Sequence, residues 1–147
     1  MDSKQLLEDW RHRARKTQKA HFESAAICTR NHYILGAAVV VFTTVAGSAL
    51  LAKLLDEVTI AVISIAAATL AAIQTFISLP ERAEKHRNVA ARLSDLKKRF
   101  EELQAFANDD ELRDAVTSLR VEWDSIIKDA PTALRIPWKK YSKMRKE

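Results

Sequence analysis

The chain has 147 residues, with 24 Lys and Arg against 19 Asp and Glu, a net charge of +5 and a mean hydropathy of −0.19. That length is one domain's worth of polypeptide. A single Cys excludes an intrachain disulfide framework, and two Gly in the whole sequence leave no phosphate-cradling glycine loop. Abundant Glu, Lys, Arg, Leu and Ala suit long helices.

Residues 1–32 read as an N-terminal amphipathic helix without Gly or Pro. Leu7, Trp10, Ala14, Thr17, His21, Ala25 and Cys28 recur at spacings of three or four, a weakly apolar seam. The arm is expected to run unbroken into the apolar run that begins at Tyr33, and thirty helical residues would extend about 45 Å. Cys28 reads as a small packing residue rather than a redox or lipidation site. No secretory signal peptide is apparent, because the first apolar run begins at residue 33 and is too long for a signal core.

Residues 33–79 carry the strongest pattern. Tyr33–Ala52 and Val58–Leu79 contain no Asp, Glu, Lys, Arg or His, and Lys53–Glu57 is all that separates them. Each run is long enough, as a helix, to cross a hydrocarbon core of about 30 Å. The expectation is a membrane-spanning helical hairpin with its turn at 53–57. Arg13, Arg15, Lys16, Lys19 and Arg30 precede the first run, and Arg82, Lys85, Arg87, Arg92, Lys97, Lys98 and Arg99 come after the second. The positive-inside rule then places both termini in the cytoplasm and the turn outside. The same cations suit anionic lipid headgroups. Nucleic acid is the weaker partner, since the charge tracks the membrane edges and no aromatic stacking platform accompanies it.

In the second run, Ala61, Ser64, Ala68, Ala71, Thr75 and Ser78 form a stripe of small or hydroxylated residues. In the first, Gly36, Val40, Thr43 and Gly47 share a face. Such residues let helices approach closely in lipid. Two readings stand: the stripes hold the hairpin together, or the Ser64–Ser78 stripe faces other subunits and lines an oligomeric pore. Two helices alone enclose no aqueous path, so any pore needs several chains. Gln74, the one large polar side chain in the spans, reads as an interhelical hydrogen bond or as part of a filter. With no intramembrane charge, a proton-coupled transporter is a poor fit and ion selectivity should be weak. His32 and His86, near the span ends, read as interfacial residues or as a pH-sensitive collar.

Pro80 should kink the chain, with the helix resuming over residues 81–107. Val89, Leu93, Leu96, Phe100 and Leu103 form a heptad-like seam that needs an apolar partner. The N-terminal arm around Trp10 is the nearest candidate, and self-association between subunits is the second. Asn108, with Glu111 three residues on, has capping-box spacing and opens a further helix over 108–130, with Leu112, Val116, Leu119, Trp123, Ile126 and Ile127 on one side. Residues 131–147 form a basic tail, read as a frayed, solvated terminus or as a membrane-surface anchor or partner peptide. His12, His21, His32 and His86 make no metal-ligand spacing, and no nucleophile or cofactor signature is present, so neither an enzyme nor a cofactor or metal protein is expected.

Glu81-Arg82-Ala83-Glu84-Lys85-His86-Arg87 followed by Ala90-Ala91-Arg92-Leu93 resembles the SLATT-domain family. So do Trp10-Arg11-His12-Arg13-Ala14-Arg15, Ala20-His21-Phe22-Glu23, His32-Tyr33 and Gln74-Thr75-Phe76. The likeness covers residues 5–107 and leaves out the segment after Asn108. It implies a two-transmembrane bacterial effector of a conflict system, associated with nucleotide-second-messenger sensing, that forms pores to kill or arrest the infected cell. A separate nucleotide-signal sensor or other conflict-system protein is then the expected partner. The combined expectation is an all-α integral membrane hairpin with long cytoplasmic amphipathic helices. It would oligomerise in the bacterial inner membrane and permeabilise it on activation. A phage holin-like lysis protein and a non-conducting membrane scaffold are the alternatives.

Overall fold

Among the described residues five helices succeed one another: α1 (Ser3–Ala52), α2 (Glu57–Ile77), α3 (Leu79–Phe106), α4 (Asp109–Asp129) and α5 (Arg135–Ser142). They are seen in a computed structural model that describes residues 3–53, 55–106 and 109–143, and no strand occurs among those residues. The expectations that fall on residues 107, 108 and 144–147 lie outside the described residues, as do those on the side chains of Glu111 and Leu112. The chain divides into two compact units. A hairpin unit comprises Ile27–Arg82, and a bundle unit comprises Met1–Ala26 with Ala83–Glu147.

In the hairpin unit, local chemistry sets the helix ends. α1 stops at Ala52, and Lys53 takes the left-handed conformation at φ 52°. Asp56 then caps α2: its carboxylate accepts from Thr59 N–H at 2.9 Å and from Thr59 Oγ1–H at 2.6 Å. Those hydrogen bonds hold the Asp56 carboxyl below its ordinary range. At the far end, the expected kink at Pro80 is a complete stop. α2 ends at Ile77, Ser78 turns left-handed (φ 47°, ψ 47°), and α3 restarts at Leu79. Pro80 has no N–H for the Phe76 carbonyl, and its ring would collide there. In the first turn of a new helix that N–H is not needed.

The bundle unit buries large side chains. Leu7, Ala14, Val89, Leu93, Leu96, Phe100, Leu119 and Ile126 form one cluster, with Trp10, Leu103, Val116 and Trp123 packed against it. Trp10 meets Phe100 edge-on, with centroids 6.0 Å apart. Arg99 bonds Glu122 at 2.7 Å across α3 and α4, an exposed pair worth about 1 kcal/mol or less.

The described part of the tail carries a helix rather than a frayed end. Residues 135–142 form α5, with Pro137 fully buried. Leu134 N–H donates to Ser24 Oγ of α1 at 3.1 Å, and Lys140 pairs with Glu23 at 3.1 Å. A helix this short is marginal by itself, so packing against α1 is what orders it. The Lys140 and Tyr141 side chains hold the Glu23 carboxyl down, and Glu23 in turn raises Lys140.

Candidate functional site

The hairpin unit presents its large apolar side chains outward. Phe76 is 89% exposed, Val58 72%, Ile65 66% and Val40 63%. Both helices are long and apolar enough to cross a membrane, and little of either apolar stretch is buried. A water-soluble surface rarely carries so large an apolar patch.

Among the described residues, what the hairpin unit buries in the middle of its spans is small, Ala46 and Ala49 in α1 and Ala67 in α2, and Leu79 is buried at the end of the second. The stripes read from the sequence take other places. Ser64, Ala68 and Thr75 are exposed, whereas Ala71, Gln74 and Ser78 are half-buried. In α1, Thr43 and Gly47 are exposed and Gly36 is half-buried. A methyl added at Gly36 would stand 3.5 Å from Gln74 Nε2, an ordinary contact, and one at Gly47 would meet nothing. Neither glycine is therefore required by close packing within one chain. The two stripes do not face each other along their length, and most of the Ser64–Ser78 stripe points away from the hairpin's own contact.

Every hydroxyl on these faces has an internal acceptor. Thr43 donates to Val39 O at 2.9 Å, Ser64 to Ile60 O at 2.9 Å and Thr75 to Ala71 O at 3.0 Å. Ser78 donates to Thr75 O at 3.4 Å. Back-bonding of this kind removes the cost of an unpaired donor in lipid, yet leaves the oxygen able to accept from water. Gln74 Nε2 donates to His32 Nδ1 at 3.2 Å, joining α2 to α1.

In the bundle unit, the second candidate set is consumed inside one chain. Val89 is 5% exposed, Leu93, Leu96 and Phe100 are 0%, and Trp10 and Leu103 pack on the same cluster. The apolar face that needed a partner is covered by α1 and α4. These residues do not form an exposed seam between subunits.

Composition and spacing did not join His21 to His86. Their Nδ1 atoms lie 2.9 Å apart in the core, with both residues 4% exposed. One ring donates and the other accepts, so two charged rings are incompatible with the contact. Burial, helped by the charge of His86, lowers the His21 pKa to about 4. A sequence signal was present: His21 occupies a seam position in α1, and His86 lies one seam step before Val89. The remaining notable feature is an open cavity of about 960 Å³ between α1, α4, the 130–134 connection and α5. Among the described residues no group of three His, Cys, Asp or Glu is placed to hold a metal ion.

A family profile, described as SMODS and SLOG-associating 2TM effector domain family 4, matches residues 4–144. The match extends past Asn108, where the likeness read from the sequence stopped, and takes in α4 and α5. This accords with the packing of those helices in the bundle core. No curated protein and no solved structure matches the chain.

Proposed function

Because the chain belongs to the SMODS and SLOG-associating 2TM effector domain family of conflict systems, we propose that it is a non-enzymatic effector that permeabilises the bacterial inner membrane. Both termini stand in the cytoplasm, the Lys53–Glu57 turn lies outside, and activation leads to growth arrest or cell death. The activating partner is a separate nucleotide-signal sensor or another conflict-system protein.

One observation carries this reading. The hairpin unit turns bulky apolar groups outward and also carries an exposed line of small and hydroxylated residues, Ser64, Ala68 and Thr75. That line is suited to close contact with other copies in lipid. Its back-bonded hydroxyls can meet either a neighbouring helix or water. Subunits would gather through the hairpins, since the Val89–Leu103 seam is already occupied.

The test is dye release from liposomes carrying the purified protein, with crosslinking to track assembly. Release should accompany oligomers larger than dimers, and Ser64→Leu or Ala71→Leu should reduce both. A protein that stays monomeric and releases no dye under any oligomerising condition would refute the reading. An intact membrane potential on overexpression, with a partner retained by the bundle, would instead mark a non-conducting scaffold.

A further inference from the structure

We propose that the bundle unit holds a binding site for an amphiphilic organic anion, a phosphate or carboxylate head on an apolar body. The site is the cavity of about 960 Å³, within the size range of small-molecule pockets. It belongs wholly to the bundle unit, so it stands or falls independently of conduction by the hairpin.

The walls divide by chemistry. Trp123 and Ile127 of α4, Pro131 and Leu134 of the connection and Trp138 of α5 supply an apolar lining. Two indoles offer flat faces and N–H donors that aliphatic side chains lack. Arg13 and Lys16 of α1 and Arg135 of α5 add three cations, and no carboxylate lines the cavity. Among the described residues none of the three enters an ion pair. Lys16 donates to the Ser142 carbonyl at 3.4 Å, which leaves its charge unneutralised. His21 also reaches the wall, but burial keeps it uncharged near neutral pH.

An apolar cavity with unpaired cations favours a ligand that buries a hydrophobic body and presents negative charge to an arginine fork. A neutral apolar molecule would leave the cations unanswered. An inorganic anion would leave the indoles exposed. The ligand would touch α1, α4 and α5 together. It would add to the links that hold α5 to α1, the Ser24–Leu134 and Glu23–Lys140 contacts. Binding to the folded bundle alone must also stabilise it.

The experiment is calorimetric titration of the full chain in nanodiscs of uncharged phosphatidylcholine, against empty discs. The probe is 1-naphthyl phosphate, with 1-naphthol as the body alone, inorganic phosphate as the head alone, and octyl phosphate as a lipid-like body. We expect 1-naphthyl phosphate or octyl phosphate to bind at least about tenfold tighter than 1-naphthol or phosphate, given the strength of charge-assisted hydrogen bonds. Preference for the naphthyl body points to a soluble aromatic metabolite, and preference for octyl points to a lipid product. Arg13→Gln with Arg135→Gln should weaken the better probe about tenfold or more, and Arg13→Lys with Arg135→Lys should recover part of that loss. Trp138 is half exposed, so Trp138→Ala should spare the fold and weaken both anions. Binding of 1-naphthol as tight as that of either anion would overturn the proposal. So would unchanged anion affinity in a glutamine double variant with unaltered helicity.

Discussion

The two units of this chain differ in where they put their large apolar side chains. The bundle hides Phe100, Leu93, Leu96 and Ile126 completely, whereas the described residues that the hairpin buries in its spans are Ala46, Ala49 and Ala67, with Leu79 at the end of the second, and Phe76, Val58 and Ile65 stay outside. In water the large apolar residues must go inside, because their transfer drives folding. In lipid that drive is absent, and backbones gain most by approaching closely over small residues. One polypeptide thus obeys two packing rules, each suited to its own solvent.

Truncation of a large residue should separate the two most sharply. Phe100→Ala should destabilise the bundle by about 3–5 kcal/mol. Phe76→Ala should leave the bundle's unfolding midpoint unchanged. Denaturant titration monitored by tryptophan fluorescence in neutral nanodiscs measures both. Equal losses would end the contrast.

Acid should act on the bundle next. The His21 pKa falls from 6.5 to about 4 on folding. Above pH 6.5 both states are neutral and the group contributes no pH dependence. Between pH 6.5 and 4 the unfolded chain takes up a proton that the folded chain refuses, so stability falls as pH falls, by at most about 3 kcal/mol. His21→Gln should flatten the stability profile across that window. A wild-type profile flat from pH 7 to 4 would contradict the buried pair.

The hairpin should answer to volume on one face and tolerate it on another. Ala67→Leu overfills a buried site, for a cost of about 1–3 kcal/mol. Ser64→Leu points outward and should leave intrachain pairing intact while disturbing assembly. Crosslinking between cysteines placed in α1 and α2 reports the first effect, and subunit crosslinking reports the second. Smallest of all, Gly36→Ala should change hairpin stability by less than about 0.5 kcal/mol, because the methyl finds an ordinary contact with Gln74.

Much of this was legible in the residues. The spans stand out because an uncharged run of twenty or so residues has few other uses. The α3 seam stands out because Leu and Phe at heptad spacing contrast with Lys, Arg and Glu around them. The packing face of α2 was not legible. Ala66, Ala67, Ala68, Ala71 and Ala72 surround the helix with small side chains, so a stripe can be drawn on more than one side. Burial selects Ala67, one residue off the stripe that periodicity suggested. The His21–His86 contact joins residues 65 positions apart, and no local pattern encodes that pairing. α5 was hidden by its length and by Pro137, since a short helix held by tertiary contacts leaves only a weak propensity signal.

In the proposed arrangement the hairpin spans the membrane with its turn outside and both termini in the cytoplasm. Site-directed thiol labelling tests it most directly. In a Cys28→Ala background, Leu55→Cys marks the turn and Ser142→Cys marks α5. In spheroplasts, a membrane-impermeant maleimide should label the turn cysteine, and should reach the α5 cysteine only after lysis. Equal labelling of both before lysis, or recovery of the protein in the soluble fraction, would contradict the account.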